Sequence, residues 1–122
     1  MKILHLTLKN QWFDMILSGE KKEEYREIKP YWSVRLTTLP TLYCQNTEKV
    51  IMTMKSSGEF ECDYAAFFTH IQFRNGYAKN APTMLVECKS IRIGTPRPEW
   101  SGNMQGDHFI IELGNIIKTE NV

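Results

Sequence analysis

The densest run of reactive side chains is Gly19-Glu20-Lys21-Lys22-Glu23-Glu24-Tyr25-Arg26, which spells G-x-K-x-x-E-x-R. On an extended strand, residues two apart share a face, so Glu24 and Arg26 point the same way. Lys21 has the wrong parity and joins them only if it still lies in the turn after Gly19. Gathered in one cleft, the three offer an ammonium for phosphate, a planar donor fork, and a carboxylate that accepts from a base amine. Trp12 and Tyr77 are candidate stacking surfaces for a base, and Arg74 adds a cation. A blander reading competes: adjacent Lys, Glu and Arg also make solvated salt bridges that keep a strand edge from aggregating. On residue types alone that reading is favoured. For Trp12 the competing role is an anchor in the core, whereas for Tyr77 the two readings balance, because Asn75-Gly76 places it beside a turn where exposure is expected.

Little else in the chain carries chemistry. His5, His70 and His108 show no HxH or HxxxH spacing, and there is no P-loop, GxGxxG, GxSxG or evident Cys–His pair. The expectation is a protein without metal or cofactor. Cys44, Cys62 and Cys88 are odd in number and far apart, which suits small, partly buried thiols in a reducing compartment. Lys and Arg total 15 against 14 Asp and Glu, a net charge of +1. That excludes a domain whose overall field attracts nucleic acid, while leaving room for a local basic cleft. No apolar run approaches the ~20 residues that span a bilayer. The alternating N-terminus has no signal-peptide h-region, so a cytoplasmic protein with no membrane attachment is expected.

The elements that must position these groups follow from periodicity. Residues 2–8 alternate, with Leu4, Leu6 and Leu8 on one face, which predicts a half-buried strand. Trp12, Phe13, Ile16 and Leu17 recur at helical spacing over 11–18, with Asn10 as N-cap and Gly19 at the left-handed exit. The charged stretch 21–28 reads as a strand stopped by Pro30, and 31–36 as a short helix closed by Pro40. Residues 41–64 are irregular and read as an insertion or elaborated connection. Apolar stretches at 67–74, 83–93, 108–113 and 116–118 are separated by turn signals at Asn75-Gly76 and Gly114-Asn115, and by a loop over 95–106. With 122 residues, no repeats and no low-complexity tract, the chain reads as one domain, 1–122. Its class is α+β: a mixed, mostly antiparallel sheet of five or six short strands curled into a small β-barrel, with one or two helices near the N-terminus.

With strand, Trp12-bearing helix, motif and following strands in this order, the sequence resembles the ASCH family of the PUA-like superfamily. The likeness is strongest over 1–36 and 67–118. Tyr31-Trp32 with Arg35-Leu36, and Arg74-Asn75-Gly76-Tyr77, look like its phage-associated or mobile-element members. The resemblance implies a PUA-like barrel and a binding module for RNA or a nucleotide, with Lys21, Glu24, Arg26, Arg74, Tyr77 and Trp12 as ligand-binding candidates. Near-neutral charge favours single-stranded RNA or a nucleotide-like small molecule over a duplex.

The same resemblance supports an alternative. Some small relatives are amidohydrolases acting on N4-acetylcytidine, with a Lys base, a Thr nucleophile and a downstream Glu acid. Lys21 matches the base, but Glu24 stands where the Thr belongs, and Glu87 is the one candidate for the acid. Without that hydroxyl, acyl transfer needs a water activated by Glu24 or another nucleophile. Ribonuclease activity centred on Lys21 and a plain protein-interaction domain complete the alternatives. Lys21 and Glu24 are the catalytic candidates if the protein is an enzyme.

Overall fold

The computed structural model describes residues 1–37 and 68–122. The expected insertion at 41–64, together with Cys44 and Cys62, falls outside them. In chain order the described elements are β1 (Ile3–Leu8), α1 (Asn10–Leu17), β2 (Glu23–Glu27), α2 (Pro30–Leu36), β3 (His70–Asn75), β4 (Thr83–Gly94), α3 (Pro98–Ser101) and β5 (His108–Glu120). The five strands form one sheet in the order β1-β3-β4-β5-β2. β1 and β3 run parallel, β3 and β4 antiparallel, so the sheet is mixed. The protein is small and α+β, with a mixed five-stranded sheet and a few short helices among the described residues.

The contacts divide the chain into two compact units. One comprises Met1–Glu24, Phe68–Lys89 and Glu112–Val122; the other Tyr25–Phe67 and Ser90–Ile111. In the first, the alternation of β1 does what it predicts: Leu4, Leu6 and Leu8 are buried. The register sets Leu4 beside Ile71 and Ile71 beside Val86, then Leu6 beside Phe73 and Phe73 beside Met84. These two ladders are buried throughout, and Phe13 and Ile16 of α1 are buried with them. Parallel neighbours cannot be joined by a tight hairpin, so β1 and β3 necessarily come from distant parts of the chain.

In the second unit Tyr25, Leu36, Ile91, Phe109 and Ile111 are buried. The Tyr25 hydroxyl accepts a hydrogen bond from the Arg97 backbone N–H at 3.2 Å, which satisfies its polar end. Pro30 opens α2 at a position where a missing N–H costs nothing.

Three local expectations are corrected. Asn10 is the first residue of α1 and Lys9 the cap; the Asn10 side-chain oxygen instead accepts from Asn75 Nδ2 at 2.9 Å. Gly114-Asn115 is no turn, because β5 runs unbroken through it. Asn75-Gly76 ends β3 but is no two-residue hairpin, since the Asn75 N–H closes on the Pro82 carbonyl at 2.9 Å across an intervening loop. The 95–106 loop also contains the single turn α3, ended by Gly102 in the left-handed region.

Candidate functional site

The site begins where α1 ends. Gly19 adopts φ +85, a conformation that a side chain would strain, and reverses the chain there. The Gly19 N–H bonds the Ile16 carbonyl at 3.0 Å and the Lys21 N–H bonds the Met15 carbonyl at 2.9 Å. Lys21 is thereby pinned to the last turn of the helix, ahead of β2, in the turn position that its parity requires. Met15 and Trp12 lie three residues apart on one helix face. The Lys21 ammonium accordingly sits over the Trp12 ring, 4.5 Å from its centroid.

The same ammonium stands 3.5 Å from Glu24 Oε1. The two side chains are 1% and 5% exposed, so this pair is not the solvated network that residue types alone favour. Burial changes its meaning. Taking two charges out of water costs several kcal/mol per ion, and a buried pair is often no better than an apolar pair of the same volume. The cation–π contact offsets part of that, by roughly 0.5–2 kcal/mol. A charge pair held at this expense is a poor device for stability alone, which makes it a candidate for function. Trp12 is half-buried, neither a core anchor nor a free surface ring.

Beside the pair lies a pocket of about 150 Å³, lined by Ile16, Gly19, Lys21, Lys22, Val86, Leu113, Gly114, Asn115 and Ile116. Small-molecule sites run to roughly 300–1,000 Å³, so this one is sized for a fragment such as a single ring. Its far wall is built by pairing: the Leu113 N–H bonds the Lys22 carbonyl at 2.9 Å. Glu87 accepts from the Asn115 backbone N–H at 3.1 Å. A Cβ at Gly114 would lie 3.0 Å from Glu87 Cβ, so a larger residue there requires Glu87 to shift by a few tenths of an ångström. Glu87, the candidate downstream acid, thus holds the pocket wall through a main-chain bond. Lys22, Gly114, Asn115 and Ile116 were not among the expected site residues. The one signal for them is the Gly114-Asn115 dipeptide, which sequence rules read as a turn.

The remaining candidates have other partners. Arg26 belongs to the second unit, donates to the Tyr25 carbonyl at 2.6 Å and covers the Trp32 ring at 5.1 Å. Arg74 turns onto its own loop, donating from Nε to the Gly76 carbonyl at 3.2 Å and from Nη2 to the Ala78 carbonyl. Tyr77, at the tip it braces, is 88% exposed. The structure therefore brings Trp12, Lys21 and Glu24 together, and places Arg74 and Tyr77 in a separate, ordered tip. Among the described residues no three His, Cys, Asp or Glu side chains group as a metal site, and no helix is long and apolar enough to cross a membrane.

Comparison with protein-family models, with curated proteins and with solved structures returned no match.

Proposed function

We propose that the protein is a cytoplasmic, ASCH-like module of the PUA-like type that binds RNA or a nucleotide, with the pocket beside Lys21 as its binding site. The carrying observation is the buried Lys21–Glu24 pair under the Trp12 ring, at the wall of a pocket sized for one ring. Lys22 is exposed at the pocket and suits a phosphate. Lys21 lines the pocket while its charge is already balanced by Glu24, which suits orientation of a base more than capture of a phosphate. The apolar lining of Ile16, Val86 and Leu113 accepts a ring face. A single unstacked base at a strand end meets these demands, whereas a duplex does not.

NMR titration with the four mononucleotides tests this reading. The expected result is shifts at the amides of Gly19, Lys22, Gly114 and Asn115 and at the Trp12 indole, weakened in Lys22→Ala. Spectra unchanged up to millimolar nucleotide would remove the pocket as the site. A hydrolase remains the second reading, carried by Glu87 being fixed against the pocket wall.

A further inference from the structure

A second cluster, in the other unit, shares no residue with the Lys21 pocket. The Arg35 guanidinium lies over the Tyr31 ring at 3.5 Å from its centroid, and Tyr31 meets Trp32 edge-to-face at 4.8 Å. Arg26 covers the Trp32 ring at 5.1 Å, so the two touching rings lie between two guanidinium groups in the series Arg35, Tyr31, Trp32 and Arg26. Arg35 is exposed and is held in place by donating from Nη1 to the Tyr31 carbonyl at 2.8 Å. Tyr31 is 57% exposed, more than a ring serving only to pack α2 would need. The neighbouring acid Glu27 is itself paired with Lys29 at 2.8 Å.

We propose that this cluster is a stacking platform for a short single-stranded nucleic acid segment, in which one base stacks on the Tyr31–Arg35 layer and the Arg35 guanidinium edge meets a flanking phosphate. Guanidinium planes and aromatic rings are the two side-chain surfaces on which unstacked bases settle. Arg35, held over Tyr31 at 3.5 Å and bonded to its carbonyl, presents both as one surface, and a guanidinium with five donors retains capacity for phosphate after one bond to a carbonyl. An acidic peptide would use the charge but has no use for the exposed ring, so nucleic acid is the better match.

The test is fluorescence anisotropy of a labelled uridine octamer with the full chain and with Tyr31→Ala and Arg35→Ala. Tyr31→Ala should weaken octamer binding about tenfold or more, the scale of losing one stacked base. Arg35→Ala should weaken it and lower the salt slope by about one. Both variants should leave the mononucleotide shifts at Gly19 and Asn115 unchanged, which separates failure of the platform from failure of the pocket. Tyr31 and Arg35 are exposed, so thermal melts like that of the parent should accompany both. Octamer affinity within twofold of the parent in both variants would overturn the proposal. So would a hexaglutamate peptide whose binding, unlike that of the octamer, is lost in Tyr31→Ala.

Discussion

At the scale of single residues, the Lys21–Glu24 pair decides how much of the site is chemistry and how much is support. Removing one partner of a buried pair leaves the other charge unbalanced, so Lys21→Met should destabilise the protein by about 3–5 kcal/mol. The double variant Lys21→Met/Glu24→Leu should recover most of that loss, because two apolar groups replace two charges. Urea denaturation of the three proteins measures both, and a double variant as unstable as the single one would mean that the pair is worth more than its apolar substitute. In the resemblance to ASCH amidohydrolases, Glu24 takes the place of the threonine nucleophile, and its carboxylate is engaged by Lys21. Little or no deacetylation of N4-acetylcytidine is therefore expected. Turnover that vanishes in Lys21→Ala, with the variant still folded, would reverse that conclusion.

At the scale of elements, β5 shows where sequence reading succeeds and where it stops. The alternation of β1 and the change to helical spacing in α1 were legible because burial on one face imposes a period. Gly19 was legible because a left-handed exit needs glycine. Gly114-Asn115 has the same local chemistry as a turn, yet β5 continues through it. The cause lies far away in sequence: Lys22 takes the Leu113 N–H, Glu87 takes the Asn115 N–H, and Gly114 admits Glu87 at close range. Asn10 misleads for a similar reason, since Asn75 claims the side chain that capping would use. Lys21 could be assigned to the turn from parity, but its burial under Trp12 follows from the packing of the helix exit and was not legible. Gly114→Ala should cost about 1–3 kcal/mol as overpacking against Glu87. Thermal or urea unfolding checks it, and an unchanged midpoint would show that Glu87 yields easily. The exposed Lys29–Glu27 and Lys118–Glu120 pairs make the contrast. In each, the hydrogen-bonded partner holds the carboxyl below its usual range and the ammonium above it. A lowered carboxyl stabilises above its unfolded-state pKa and loses that effect as pH falls through the folded value. In open solvent little follows from it, so Glu120→Gln should leave the acid limb of the stability profile where it is.

For the whole molecule, a net charge of +1 means that no general field draws in a polyanion, and recognition rests on local groups. Affinity for a single strand should therefore be modest, with a shallow salt slope set by roughly two or three phosphate contacts instead of the six to ten of a strong DNA binder. Arg26→Ala should weaken binding to all sequences alike if its guanidinium meets phosphate, and relax base preference if it meets a base edge. The central claim is that the protein binds single-stranded RNA or nucleotides. It is tested most directly by titrating labelled single-stranded RNA, the matching duplex and mononucleotides at two salt concentrations. The predicted result is saturable binding to the single strand and to at least one mononucleotide, weaker binding to the duplex, and a shallow salt dependence. No binding to any of them at the lower salt, where the electrostatic contribution is largest, would contradict the claim and leave a protein-interaction domain in its place.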